Sequence, residues 1–336
     1  MHHVISSAQY LAQDSEPWIN TDTFINLFWA NTIGGLEYGS IYALVALGYT
    51  LVYGVLKLLN FAHSEVFIYG AYATWFTFFL LGFRPGPTPE LPVGELIAYL
   101  VLAVIVAMLV SGTTALVLER VAYRPLRNRG APRLAFLITA IGASLILQQI
   151  LFLWRGSNPE QAIRLLRPET LFNVGSASVQ NLTVIIVVAS VLMWIVADTF
   201  VNRTRFGRGI RAVAQDPDTA MLMGVNKERI IMLTFVVGGL LAGAAAVFYM
   251  MKIPQGAQYN GGFLLGLKAF AAAVLGGIGN LRGALLGGLL LGIIENHGQA
   301  LFGGEWRDVV AFVVLVLVLM FRPTGILGES LGKARV

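Results

Sequence analysis

Four ionisable residues of this sequence sit where water is scarce. Glu37, Glu65, Lys268 and Glu295 each lie inside a long apolar run, and His63 stands two residues before Glu65. An ionisable group in such surroundings is expensive unless it faces a bundle interior or a watery path. Each is therefore a candidate for handling a polar cargo or a proton. Each is equally a candidate for a structural hydrogen bond, and Glu37, Lys268 and Glu295 have no clear partner at helical spacing in their own runs. His63 suits a packed, satisfied histidine better than a proton relay. Two apolar runs are also interrupted, one at Asn60-Phe61-Ala62-His63-Ser64-Glu65 and one at Gly276 to Gly283. Interrupted hydrophobic segments point to a transport path, which adds Asn60, Gly277 and Gly279 as candidates for lining or gating it.

A different constellation lies outside the apolar runs, at Asp216-Pro217-Asp218-Thr219-Ala220-Met221-Leu222-Met223-Gly224. Asp216 is an N-cap residue and Pro217 suits the first helical position. Asp218 sits at the positive end of the helix dipole. Gly224 is placed to end the helix in the left-handed conformation. The spacing predicts a capped helix of about two turns. Ala220, Leu222, Met223 and Val225 make it apolar for a loop, so it either lies on a membrane surface or docks into a groove on another protein. Enzymatic signatures are missing. There is no phosphate-binding Gly-x-x-x-x-Gly-Lys-Ser/Thr, no His-Glu-x-x-His, no Gly-x-Ser-x-Gly and no cysteine.

The elements that must position these residues are set by composition. Of 336 residues, 57% are hydrophobic and only 12% are charged. That is about half the charge of a soluble domain, and far too apolar for a disordered chain. Without cysteine, a disulfide scaffold is excluded as well. With a mean hydropathy of +0.73, the fold class expected is an all-α, polytopic transmembrane helix bundle. The net charge of +5 is not a nucleic-acid footprint. Arg120, Arg124, Arg127, Arg129 and Arg133 form one cluster. Arg203, Arg205, Arg208, Arg211, Lys227 and Arg229 form another, and Arg322, Lys333 and Arg335 close the chain. Basic residues gathered in short segments between apolar runs mark the cytoplasmic side.

Residues 1–23 read as a polar N-terminal segment without a basic n-region or an Ala-x-Ala site, so no cleaved signal peptide is expected. His2 and His3 within it read as incidental. Residues 24–322 hold the apolar runs, with a cytoplasmic loop at 202–229, and 323–336 form a cytoplasmic tail. The runs are 24–59, 61–83, 96–118, 134–154, 182–201, 230–251, 263–294 and 309–321. The first is too long for one straight span and is read as either one or two. If both basic clusters and Arg322 are cytoplasmic, an odd number of crossings must lie between 263 and 321. That splits the seventh run in two at 279–283. About eight to ten membrane helices follow, some short or broken.

Glycine is abundant, 37 residues in all, and Gly35/Gly39, Gly239/Gly243, Gly262/Gly266, Gly283/Gly287 and Gly288/Gly292 are spaced four apart. Small residues at that spacing let helix backbones approach. Residues 24–82 and 232–300 share a greasy-broken-greasy pattern, with breaks at 60–65 and 276–283, which suggests an inverted repeat.

Several stretches together resemble one family. Gly39-Ser40-Ile41-Tyr42-Ala43-Leu44, Leu51-Val52-Tyr53-Gly54 and Asn60-Phe61-Ala62-His63-Ser64-Glu65 are similar to the permease subunits of branched-chain amino-acid ABC transporters. So are Glu119 to Arg127, Ala272 to Ala284 continuing to Glu295, and Arg322-Pro323-Thr324-Gly325-Ile326-Leu327-Gly328. The resemblance spans residues 25–328. Ser64 stands where the family usually has glycine, a departure that bears on substrate preference. Urea permeases share the Ala-His-x-Glu pattern, and Phe61 looks more like the amino-acid branch.

The resemblance implies a multi-pass permease domain in the cell inner membrane. A second, similar permease subunit would complete the path, two ATP-binding subunits would dock below, and a periplasmic amino-acid-binding protein would deliver cargo above. No cofactor is expected on this chain, since ATP and magnesium would be bound by the partner subunits. The 216–224 helix resembles the family's coupling helix, which gives Asp216, Pro217, Ala220 and Gly224 a role in coupling. The other readings are a urea or amide permease of the same family, an ion-coupled secondary transporter using Glu37, Glu65 or Glu295, and a purely structural membrane subunit.

Overall fold

A computed structural model describes residues 21–328; residues 1–20, with His2 and His3, and residues 329–336 lie outside the described residues. The apolar runs become helices almost at the boundaries that hydropathy sets. After a short α1 (Thr21–Asn26) come α2 (Phe28–Leu56), α3 (His63–Leu80) and α4 (Val93–Leu118). A π-helical turn at Glu119–Tyr123 leads into α5 (Arg124–Asn128) and α6 (Arg133–Arg155). A small antiparallel hairpin, β1 (Thr170–Val174) and β2 (Ala177–Gln180), precedes α7 (Asn181–Arg203), α8 (Arg205–Gln215) and α9 (Pro217–Leu222). The chain then forms α10 (Lys227–Lys252), α11 (Gly261–Gly276), α12 (Leu281–Phe302) and α13 (Arg307–Phe321).

Five stretches are long and apolar enough to cross a membrane by length and hydropathy alone: Phe28–Leu56, Val93–Asn128, Arg133–Arg155, Asn181–Arg203 and Lys227–Lys252. The helices α3, α11, α12 and α13 are shorter or more polar and pack among them. The first run forms one continuous 29-residue helix and not two. The seventh is split by the turn at 277–280, as the charge parity requires. Three helices therefore lie between 261 and 321, the odd number that the parity argument expects. Two elements were not anticipated. The 155–181 loop carries the hairpin, and the basic stretch 205–215 is a helix that buries Ile210 and Val213 and exposes Arg205 and Arg208.

The inverted repeat is visible in the packing. The helix α2 packs most extensively on α12, and α10 packs on α4. Likewise α3 packs on α4 and α10, while α11 packs on α12 and α2. Exchanging α2 with α10, α3 with α11 and α4 with α12 maps these contacts onto one another, and the packing of α3 on α6 then corresponds to that of α11 on α13. The break at 57–62 is thus equivalent to the one at 253–260. The pairing of 60–65 with 276–283 suggested by the sequence is replaced, because both glycine-rich breaks look alike until the partners of each helix are known.

The equivalent interfaces are built the same way, from glycines facing backbone. A Cβ on Gly35 would lie 2.5 Å from Cα of Ile293, and one on Gly39 2.8 Å from the carbonyl oxygen of Gly288. In the other half, a Cβ on Gly239 would lie 2.7 Å from the Ser111 carbonyl oxygen, and one on Gly243 2.4 Å from that of Ala107. Backbone cannot yield to such contacts. Gly292→Ala, whose Cβ would meet Gly39 backbone at 2.4 Å, is therefore expected to lose about 1–3 kcal/mol of stability. Gly142→Ala on α6, with open space around it, should melt at or slightly above the wild-type temperature in detergent. Equal effects from the two substitutions would contradict the packing argument.

Candidate functional site

The loop helix α9 has the capping that its sequence predicts. Asp216 accepts hydrogen bonds from the backbone N–H of Asp218 (3.0 Å) and Thr219 (3.2 Å) and from the Thr219 hydroxyl at 2.5 Å. Pro217 occupies the first turn, where its missing N–H costs nothing. At the other end, Val225 N–H donates to the Ala220 carbonyl and Gly224 N–H to that of Met221. Gly224 has φ +83°. This is the paired closure of a Schellman motif, which needs a left-handed residue at that position. Ala220 is buried against the body of the protein, while Leu222 and Met223 are 87% and 80% exposed. The helix is clamped at both ends and presents an apolar tip.

The Asp216 carboxyl is held below its ordinary value, first by the Thr219 hydroxyl and then by the two backbone N–H donors. These bonds favour the charged form, so the cap is in place above the usual carboxylate range. It is lost only as pH falls through the lowered value. Between pH 5 and 8 the helix should not respond to pH. Asp216→Ala should raise hydrogen exchange at the Asp218 and Thr219 amides at neutral pH, read by mass spectrometry. Unchanged protection there would contradict the capping role.

On the same side, α10 begins against an ion cluster. Arg127 bonds both Glu119, at 2.7 Å, and Glu228, while Arg124 lies 3.3 Å from Glu119 and 3.4 Å from Glu228. Glu119 is fully buried. The neighbouring Tyr123 donates its hydroxyl to Asn60 Oδ1 at 2.6 Å. This ties the break before α3 to the π-turn after α4. Asn60 is thus an anchored residue that also lines a small cleft with Tyr49, Tyr53 and Phe270.

The first turns of α3 and α11 meet inside the bundle. A Cβ on Gly262 would lie 2.7 Å from the Ser64 carbonyl oxygen, and one on Gly266 2.3 Å from Ser64 Cβ. This close approach explains both glycines. Glu65 here is fully buried. Its Oε1 accepts from Ser64 (3.1 Å), Ser144 (3.1 Å) and Gln148 (3.0 Å). His63 is packed between Gly48 and Gly238, with its ring 4.8 Å from that of Tyr49. Its Nε2 has no hydrogen-bond partner. It fits the packing role better than a relay, although it is not satisfied at both nitrogens.

The remaining buried charges find partners on other helices. Glu37 of α2 accepts from Thr183 of α7 at 2.6 Å and pairs with Lys252 of α10. Glu295 of α12, fully buried, lies 2.6 Å from Lys268 of α11 and 2.6 Å from Arg307 of α13, and Lys268 also pairs with Asp308. Gly277 and Gly279 have φ +109° and +99° and shape the turn between α11 and α12. The chain after α13 folds back onto that turn. Ile326 and Leu327 N–H donate to the carbonyls of Leu275 and Gly276, and Asn280 Nδ2 donates to the Leu327 carbonyl. The path candidates therefore fall in three separate places. Glu37 and Glu295 lie in cross-helix ion pairs, His63 and Glu65 where α3 and α11 meet, and Gly277 and Gly279 at the turn between α11 and α12.

Residues 31–319 match the family described as branched-chain amino acid transport system / permease component. The chain is 44% identical over 303 residues to the high-affinity branched-chain amino acid transport system permease protein BraD of Pseudomonas aeruginosa, covering 88% of this chain and 94% of that one. It is 38% identical over 309 residues to LivH of Escherichia coli, a permease protein of the same kind of system, covering 90% and 96%. Similarity extends to the xylose transport system permease protein XylH of Escherichia coli, at 27% over 206 residues, 53% of this chain and 51% of that protein. No solved structure matches this chain significantly. A multi-pass helical bundle, motifs spread over nearly its whole length and these relatives agree: the chain belongs to the family of permease components of branched-chain amino acid transport systems.

Proposed function

We propose that this chain is one transmembrane subunit of an ATP-driven importer of branched-chain amino acids in the cell inner membrane. Partner subunits bind and hydrolyse ATP with magnesium, a second permease subunit completes the path, and a periplasmic binding protein supplies the cargo. The observation that carries this reading is α9. It is a short helix capped at both ends, flanked by basic residues, and its exposed apolar tip is Leu222-Met223. The chain has no phosphate-binding loop of its own. A secondary transporter has no use for such a helix, whereas a permease driven by a separate motor needs a rigid lever at the motor's surface. Asp216 and Pro217 start the lever, Ala220 seats it and Gly224 ends it. Movement of 202–229 would rock the bundle between outward-open and inward-open states.

The cargo is tested with the reconstituted complex in proteoliposomes. Uptake of labelled L-leucine should be competed by unlabelled isoleucine and valine and not by urea. Competition by urea alone would overturn the choice of cargo.

A further inference from the structure

A cavity of about 160 Å³ lies beside the outer ends of α10, α11 and α13, against the first half of α2. A cavity of roughly this volume (about 150 Å³) holds a benzene-sized molecule, so a branched four-carbon side chain fits. Its walls are of two kinds. Ile41, Ile253, Leu264 and Leu265 are apolar, whereas Lys268 and Arg307 are cationic, with Tyr38 and Tyr42 beside them. The Arg307 guanidinium lies 4.3 Å from the Tyr38 ring centre, and Lys268 Nζ lies 6.0 Å from that of Tyr42. Gly261, the first residue of α11, also lines the cavity and brings the positive end of that helix dipole to it.

The charges around the cavity balance. Lys268 and Arg307 are matched by Glu295 and Asp308, and next to them Lys252 is matched by Glu37. A net anion or cation would unbalance this cluster, whereas a zwitterion keeps it neutral. Three buried atoms in the cluster have no hydrogen-bond partner: Nε and Nη2 of Arg307, donors on a residue that lines the cavity, and Glu295 Oε2, an acceptor next to it. Unmet buried groups are costly. The carboxylate and ammonium of an α-amino acid are an acceptor and a donor of the matching kinds.

We propose that this cavity is a binding site on the permease itself for a neutral, zwitterionic amino acid. Arg307 takes the carboxylate, and Ile41, Leu264 and Leu265 take the apolar side chain. The inference rests on the transport reading above and adds to it that cargo leaving the binding protein pauses on this chain.

A diazirine analogue of leucine, delivered by the binding protein to the full reconstituted complex, tests it. Photolysis should label peptides containing Ile41-Tyr42 or Leu264-Leu265. Excess L-leucine should suppress that label, and Leu265→Trp, which fills the cavity, should abolish it. Arg307→Gln should lower leucine uptake per ATP hydrolysed by about tenfold or more, the value of one buried bond to a charged group. Arg307→Lys should restore part of the loss. Leucine-competed labelling elsewhere, or none at all, in a complex that still takes up leucine would overturn the site and leave the transport reading standing. Absence of leucine uptake by the wild-type complex would overturn the transport reading and the site with it.

Discussion

Replacing Gly224 by valine is expected to cut amino-acid uptake about tenfold while ATP hydrolysis continues. No heavy atom lies within 4 Å of where a Cβ on Gly224 would sit, so crowding is not the mechanism. The backbone is. At φ +83° an L-residue pays about 1–2 kcal/mol, and more if β-branched. The chain can relieve that strain only by opening the turn that closes α9. The two hydrogen bonds from Gly224 and Val225 would then weaken, and the Leu222-Met223 tip would swing away from its set direction. About 1.4 kcal/mol is a factor of ten in a docking equilibrium. The defect should be graded. Asn, which tolerates the left-handed region, should be mildest, Ala intermediate and Val most severe. Membrane insertion should be unchanged across the series, since a side chain at Gly224 would project into open space. Normal uptake by Gly224→Val would remove the coupling role from α9.

Replacing Glu295 by leucine is expected to cost about 3–5 kcal/mol of stability, the usual penalty for stranding a buried charge. Glu295 is fully buried between Lys268 and Arg307. Lys268 would retain Asp308, but Arg307 would lose its only ion-pair partner among the described residues. The penalty therefore comes mainly from what is left behind. The double variant Glu295→Leu/Arg307→Met should be less destabilised than Glu295→Leu alone, because it removes the stranded guanidinium as well. The exposed pair Arg167–Glu90 offers a contrast. Its side chains are 73% and 93% exposed and 3.9 Å apart, so its removal should change stability by less than about 1 kcal/mol. Melting in detergent, or unfolding titrated with a denaturing detergent, reads all three. A double variant as unstable as the sum of its parts would contradict the argument.

Why the sequence reveals so much of this fold follows from the bilayer. Lipid demands a continuous apolar stretch for each crossing, so run edges such as 134–154 and 182–201 fall within a few residues of α6 and α7. The clustering of basic residues between apolar runs sets a parity, which is why the split at 277–280 can be deduced. The capping of α9 is legible because its chemistry is local: Asp216, Pro217 and Gly224 act on backbone within the same two turns. What sequence conceals is whatever depends on two helices at once. Glu37 and Lys252 are 215 residues apart, and Glu295 meets Lys268 across two helices. No spacing rule connects them. Arg307 and Asp308 escaped notice because they sit just before the apolar run that begins at Val309, where a charge looks like a boundary marker. The repeat was legible as a pattern but not in its register, since its register is set by which glycines face which backbone.

The central claim is that uptake through this chain is powered by ATP on partner subunits. The most direct measurement is uptake of labelled L-leucine by proteoliposomes holding the complete complex, with the binding protein outside and ATP inside. The account predicts that uptake requires hydrolysable ATP and persists when ion gradients are collapsed by ionophores. Uptake that survives without ATP and stops when the proton gradient is collapsed would contradict it, and would return Glu37, Glu65 and Glu295 to the role of proton carriers.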